Sequence, residues 1–418
     1  MEPVRTVGRG FFPLDEELAL QPGCLTPRQR EHLAHLAIWM PFERARQMLE
    51  EFLGIQVSEP TVRRGTERTG TLCEARQTAQ SQQTSPAQAA ATACEKQVIS
   101  TDGAYVPLVK GAWAEVRTVA IGEVKEKAGR HGQREVHTGQ ISYFSRMTDA
   151  ESLGDLAEGG MRRRGVGQAK AVCAVTDGAD WIQGFTDLHR PDALRVLDFP
   201  HAAEHLNLLL EALHQAGMKV PPNAFDRCLH ILKHRGPGAL VRCYDRLSAS
   251  YKEREGVQKQ MQYFGKRLCL MQYPDYQRDG WPIGSGMVES ANKVVVQARL
   301  KGAGMHWAPK HVNPMLALRT AVCSERWEEA WQDSVTEQQR QRQSQWKLQA
   351  TARLQAHLAP VLLVLVRFRP PTPQPAPPTP PVPRVAEPAA TLPGSSRPSA
   401  HHPWKRGPSC QPKLVAKM

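Results

Sequence analysis

The chain has 418 residues, and 54 lysines and arginines against 41 aspartates and glutamates leave a formal charge of +13. That length allows about two or three domains with a sizeable core, and the charge favours a polyanion, nucleic acid first, over an acidic protein or a small anion. Nine scattered cysteines without a Cys-x-x-Cys pair argue against a zinc ribbon and a disulfide scaffold, and the longest apolar run, Val361 to Val366, is far too short to cross a bilayer. With no signal peptide visible at Met1-Glu2-Pro3-Val4-Arg5, a cytoplasmic, nucleoid-associated location with reduced thiols and no membrane contact is expected.

The first organised stretch begins where Thr26 can cap a helix with Pro27 at its first position, followed by Leu33, Leu36 and Met40 on one stripe. A second helix after Pro41 is expected to bury Phe42, Ala45, Met48, Leu49, Phe52 and Leu53 until Gly54 ends it. A third starts near Ser58 and carries Arg63, Arg64 and Arg68. Residues 1–76 thus read as a helix-turn-helix-like DNA-binding region with these arginines on the recognition helix, and a plain helical hairpin fits the same pattern equally well. Residues 77–95, rich in Gln, Ala, Ser and Thr, read as a linker.

From Lys96 the period changes. Gln97–Thr101, Ala114–Ile121 and Ile141–Phe144 are β-branched or alternating runs, a helix is expected over Ala150–Arg163, and Ala171–Val175 is a buried-type strand. A helix around Trp181–Asp187 and a strand Ala193–Leu197 follow. The order β-β-β-α-β-α-β over residues 96–200 is that of an α/β, RNase H-like core, in which right-handed crossovers set the fourth strand beside the first. Two Thr-Asp-Gly steps, Thr101-Asp102-Gly103 and Thr176-Asp177-Gly178, each end one of these apolar runs, 75 positions apart (177 − 102). Asp-Gly is also a common hairpin turn; its repetition after two core-type strands points instead to carboxylates held at strand ends, where their oxygens can bind Mg²⁺.

Beyond the fifth run, Asp198-Phe199-Pro200-His201 sets an acid and an imidazole three residues apart, able to orient water or phosphate near the mouth of a site, although a histidine so placed is more often structural. Helical patterns over 201–280 read as an insertion, and its Lys233, His234, Arg235, Lys266 and Arg267 fit either a DNA backbone or a solvated face. Tyr273 and Tyr276 are read as packing residues. Then Gly284-Ser285-Gly286 opens a helix whose stripe of Met287, Ala291, Val294, Val295 and Ala298 is expected to be buried, with Glu289, Asn292 and Lys293 opposite. Glu289 would serve a metal ion and Lys293 a phosphate oxygen. Residues 281–345 complete the core as helices, and 346–418 read as a partly disordered tail, Pro-rich from Pro370 to Pro398.

From about Gln97 to Arg319 the chain resembles DDE transposases of bacterial insertion sequences, in particular the ISKra-like branch. The string Gly284-Ser285-Gly286-Met287-Val288-Glu289-Ser290-Ala291-Asn292-Lys293, continuing through Arg299-Leu300-Lys301-Gly302-Ala303-Gly304-Met305-His306-Trp307 to Leu318-Arg319, carries the resemblance, and His402-Pro403-Trp404-Lys405 looks like the branch's usual ending. The resemblance implies Asp102, Asp177 and Glu289 as a catalytic, metal-binding triad, with Asp198 and His201 similar to an Asp/Cys-x-x-His motif of related groups. Implied too are Mg²⁺ or Mn²⁺ as cofactor, two-metal cleavage and strand transfer, and double-stranded DNA as partner, both as terminal inverted repeats and as target. A homo-oligomer on DNA is expected, with Arg63, Arg64, Arg68, Lys293, Arg299 and Lys301 as DNA contacts and Asn292 beside the site. The competing expectations are a catalytically idle, transposase-derived DNA-binding protein and a stand-alone RNase H-like nuclease.

Overall fold

A computed structural model describes residues 25–83, 94–128 and 134–367. Five strands, β1 (Lys96–Pro107), β2 (Trp113–Ala128), β3 (Arg134–Arg146), β4 (Ala171–Thr176) and β5 (Leu194–Leu197), form one mixed sheet in the spatial order β3-β2-β1-β4-β5. The β1–β2 and β2–β3 pairs are antiparallel, whereas β1–β4 and β4–β5 are parallel. The class is therefore mixed α/β, and the fourth strand lies beside the first. The strands outrun their expected ends. Asp102 and Gly103 sit inside β1, opposite Thr118 and Arg117, because Ala104 and Val106 keep burying alternate side chains beyond them.

Alternation gives the sheet two dressed faces. On one, Ile99, Val119, Ile121 and Val172 pack with Leu153, Ala157, Met161 and Phe185 from the helices Ala150–Arg163 and Asp180–His189. On the other, Val98, Val124, Cys173 and Val175 pack against the helices that run between Phe199 and Arg278, while Ala104, Val106 and Val116 meet Val295, Val296 and Leu300. Asp102 and Asp177 share parity with this second set, so both carboxylates belong to the second face.

The second face is closed near its centre by the helix Gly286–Ala291, a π-helical turn Asn292–Gln297 and a final turn Ala298–Leu300. Close approach is possible because β2 has Gly122 there: a Cβ at that position would stand 3.0 Å from the Met287 sulfur and 2.4 Å from Thr138 Cγ2. The expected apolar stripe is corrected by one step. Val288, Ala291, Asn292, Val295 and Val296 are buried, while Val294 and Ala298 are exposed, since the π turn inserts a residue and shifts the phase of the helix.

The three N-terminal helices, Pro27–Trp39, Phe42–Leu53 and Glu59–Gln82, share a core of Leu33, Ala37, Ala45, Leu49, Ile55 and Val62. Thr26 forms a capping box with Gln29, as its position suggests. Phe52 and Leu53, expected inside, are exposed; past Gly54 the chain doubles back with Ile55 N–H on Leu49 O, so Ile55 fills the place they would have taken. The third helix continues to Gln82, through the start of the expected linker, because Gln77 is engaged: it donates to Ala317 O and accepts from Arg146. The last described helix, Trp327–Arg367, likewise runs through the beginning of the expected tail. Residues 84–93, the Pro-rich stretch and His402–Lys405 lie outside the described residues. The chain divides into a unit ending at Thr351 and a second beginning at Ala352.

Candidate active site

The register between β1 and β4 pairs Lys96 with Ala171 and Ile99 with Ala174, an offset of 75 residues (171 − 96). Carried three residues on, that offset brings Asp102 level with Asp177. The side chains then meet electrostatically. Burial raises the Asp102 pKa above the ordinary carboxylate range, and the like charges of Asp177 and, more weakly, Glu289 push it the same way; N–H donors from Gly103 (2.7 Å) and Asn292 Nδ2 (2.8 Å) oppose them. Asn292 reaches Asp102 because the π turn buries it one helical turn past Glu289, and its Oδ1 has no partner among the described residues. Glu289 itself is exposed.

Asp177 is held differently. It follows β4, accepts from Ala179 N–H at 2.8 Å, and precedes Gly178 at φ +78. A clamp from the helix Glu255–Arg267 grips the backbone there: Tyr263 donates its hydroxyl to Asp177 O at 3.3 Å, and Arg267 Nη2 donates to Gly178 O at 2.9 Å. Any Cβ on Gly178 would stand 2.7 Å from Arg267 Nε, so both the left-handed backbone and the close contact require glycine. The Arg267 guanidinium lies 4.1 Å from the Tyr263 ring centroid, and His205 stacks on the same ring at 3.5 Å. Burial raises the Tyr263 pKa to about 12, so its O–H stays a donor, and burial lowers that of His205.

The Asp198 and His201 expectation divides. Asp198 is 4% exposed and spends both carboxylate oxygens on backbone donors, His201 N–H at 3.1 Å and Ser285 N–H at 2.6 Å. It ties the start of the helix Phe199–Gln215 to the Gly-Ser-Gly loop, so it shapes the site without facing it. His201 packs edge-on to His205, with their centroids 5.2 Å apart, and its Nδ1 lies 3.7 Å from Glu204.

Arg299, expected to contact DNA, is 2% exposed and is corrected to a core role. It donates to Ala37 O at 2.9 Å between the rings of Phe42 and Trp307, and burial, then the charge of Arg319, lowers its pKa to about 10. Arg319 reaches Ile38 O, Val295 O and Val294 O. Two buried guanidiniums thus satisfy carbonyls at the end of the helix Pro27–Trp39 and in the π turn, welding the N-terminal helices to the segment that carries Glu289. Lys293, Lys301, Arg63, Arg64 and Arg68 are exposed. Arg267, a candidate DNA contact by sequence, instead faces Gly178. Tyr273 and Tyr276 are buried packing residues whose hydroxyls donate to Leu197 O and Cys269 O; burial raises both pKa values, that of Tyr276 to about 12.

Three carboxylates thus share one region, and none forms an ion pair among the described residues. Hard oxygen donors without a counter-cation suit Mg²⁺ or Mn²⁺ in kind. They share a field rather than a closed coordination sphere: among the described residues no three His, Cys, Asp or Glu side chains gather closely enough to hold a metal ion. The described helices include none long and apolar enough to cross a membrane. No family model matches the chain, and no curated protein matches it. Sequence reasoning missed the Tyr263–Arg267 clamp, which has no spacing signal because it reaches Asp177 and Gly178 from 86 and 89 residues away, and His205, which stacks on the Tyr263 ring.

Proposed function

We propose that the protein is a DDE-type transposase that cuts DNA at element ends and transfers the freed strand, with Asp102, Asp177 and Glu289 as its catalytic carboxylates. The observation that carries this reading is the β1–β4 register, whose 75-residue offset brings Asp102 level with Asp177; burial raises the Asp102 pKa, and the like charges of Asp177 and, more weakly, Glu289 push it the same way. The strand order β3-β2-β1-β4-β5, with a helical segment between the last strand and Glu289, supports an RNase H-like core. The helices Phe42–Leu53 and Glu59–Gln82, joined by a short turn and exposing Arg63, Arg64 and Arg68, support a helix-turn-helix that grips DNA phosphates.

Asp102, Asp177 and Glu289 would hold Mg²⁺ or Mn²⁺, which when bound supplies Lewis-acid activation of water and of a 3′-OH for phosphoryl transfer. The chain's own residues position that chemistry. Asn292 orients the Asp102 carboxylate, the Tyr263–Arg267 clamp fixes the backbone behind Asp177, and exposed Lys293 can meet a phosphate oxygen. An idle transposase-derived DNA-binding protein is the second reading, favoured by the open spacing of the three carboxylates.

The deciding experiment incubates the full chain with its flanking DNA and Mg²⁺ and maps new 3′ ends. Cleavage is expected to fall by about a thousandfold or more in Asp102→Asn, Asp177→Asn and Glu289→Gln, with duplex binding kept. Asp180→Asn, on the exposed start of the next helix, serves as the control. No cleavage by the unaltered chain would favour the idle reading, and full activity of a folded Glu289→Gln protein would refute the triad.

A further inference from the structure

Beyond Asp102, β1 and β2 continue as a two-stranded arm, Gly103–Pro107 paired with Trp113–Arg117. The back of this arm is covered: Ala104, Val106 and Val116 are buried against Val296, Leu300 and Trp307. Its front is open and aromatic. Tyr105 is 58% exposed and Trp113 57%, and the register pairs Tyr105 with Glu115 and Pro107 with Trp113. The two rings are therefore diagonal cross-strand neighbours on one face, about 7–8 Å apart. Burying such rings is the usual fate of large aromatics, so a pair left open on the face of the arm away from the carboxylates calls for an occupant.

Charge identifies that occupant. Lys301 Nζ lies 5.6 Å from the Trp113 ring centroid and holds the indole from one side while more than half of the side chain stays open. Exposed Lys110 sits in the turn that closes the arm. Glu115, on the same face, is neutralised by Arg117 at 2.6 Å, and the Arg117 guanidinium in turn lies 5.2 Å from the Trp181 ring, just past Asp177-Gly178. Flat rings bordered by cations match single-stranded nucleic acid, whose bases stack and whose phosphates are anionic. A second copy of the chain fits less well: a stable interface buries about 800 Å² per partner, and two aromatic side chains bring at most about 500 Å².

We propose that the front of the arm, with Tyr105 and Trp113 as stacking platform and Lys110 and Lys301 as phosphate contacts, binds unpaired bases of a DNA strand on the face of the sheet opposite the carboxylates. Tyr105 stands three residues from Asp102, about 10 Å along the strand, with its side chain on the opposite face of the sheet, so a strand stacked here would reach the carboxylates only by passing round the arm. The proposal rests on the DNA-processing reading above, but it concerns binding and needs no metal.

The test measures fluorescence anisotropy of labelled oligo(dT) and of a duplex of equal length with the full-length protein, without divalent metal. Trp113→Ala and Tyr105→Ala are expected to weaken oligo(dT) binding about five- to hundredfold and to leave duplex affinity within about twofold. Trp113→Phe is expected to restore most of the loss, and unchanged melting curves would certify the fold. Equal loss on both DNAs, or no loss on either, overturns the platform. A change of oligomeric state on size-exclusion chromatography overturns it too, by making the face a subunit interface. If the unaltered chain binds neither DNA, the DNA-processing reading fails with it; if it binds both but never cleaves, catalysis fails and the platform stands.

Discussion

The tripeptide Thr-Asp-Gly occurs twice at the candidate site, and its two copies are built in opposite ways. Asp102 lies within a strand, locked by the β1–β2 ladder, with Gly103 as an ordinary extended residue and its own side chain gripped by Gly103 N–H and Asn292. Asp177 lies past the end of β4, its Gly178 is left-handed, and its backbone is gripped from the insertion by Tyr263 and Arg267. Identical local sequence therefore yields a rigid carboxylate in one place and a clamped one in the other. What differs is the tertiary partner. Support by a ladder is distributed over many hydrogen bonds, whereas support by a clamp is concentrated in two side chains, so the Asp177 half is the one that single substitutions can loosen.

Breaking the clamp is the sharpest test of that difference. Arg267→Ala removes the donors to Gly178 O and is expected to lower strand cleavage about tenfold to a hundredfold, since misplacing a reacting group by about 1 Å costs up to about a hundredfold. The Mg²⁺ concentration needed for half-maximal rate is expected to rise as well, with Arg267→Lys in between. A purely structural arginine would change melting without changing the metal requirement.

On the Asp102 side the corresponding change is Asn292→Ala, which deletes a hydrogen bond that lowers the Asp102 pKa. With that donor gone the carboxyl titrates higher, so the acid limb of the pH–rate profile is expected to move to higher pH, with a smaller loss at the plateau than in Arg267→Ala. An unshifted limb would remove Asn292 from the positioning of Asp102.

The smallest effect is on stability, and it concerns Asp102. The Asp102 pKa is raised in the folded chain, so its favourable contribution is complete below the unfolded carboxylate range and is lost as pH rises through the folded value. Asp102→Asn is therefore expected to melt higher than the unaltered protein near neutral pH, with the gap closing on acidification. Added Mg²⁺ is expected to narrow the gap from the other side by stabilising the unaltered chain. A lower melting temperature for Asp102→Asn at neutral pH would contradict the raised value.

Much of the sheet around the candidate site was legible in order and kind. Alternating and β-branched runs announced all five strands, the pattern over Ala150–Arg163 matched its helix residue for residue, and the 75-residue spacing of the two Thr-Asp-Gly steps equals the β1–β4 offset. Where the reading failed, the competing force came from elsewhere in the chain. Nothing local marks Arg299 and Arg319 as core residues; they are inside because the Pro27–Trp39 helix end and the π turn present carbonyls that lack partners. Phe52 and Leu53 had the right helical spacing, yet the reversal at Gly54 sent Ile55 into their place.

By itself the sequence determined what depends on neighbours along the chain: which segments alternate, where Thr26 caps a helix, and which acids adjoin core-type runs. The tertiary structure alone decided which of those acids share a field, which arginines are spent on carbonyls, and that Arg267 faces Gly178 rather than solvent. The physical reason is that periodicity and capping act over one or two turns, while burial, charge coupling and backbone clamping depend on partners brought together from 75 to 281 residues away.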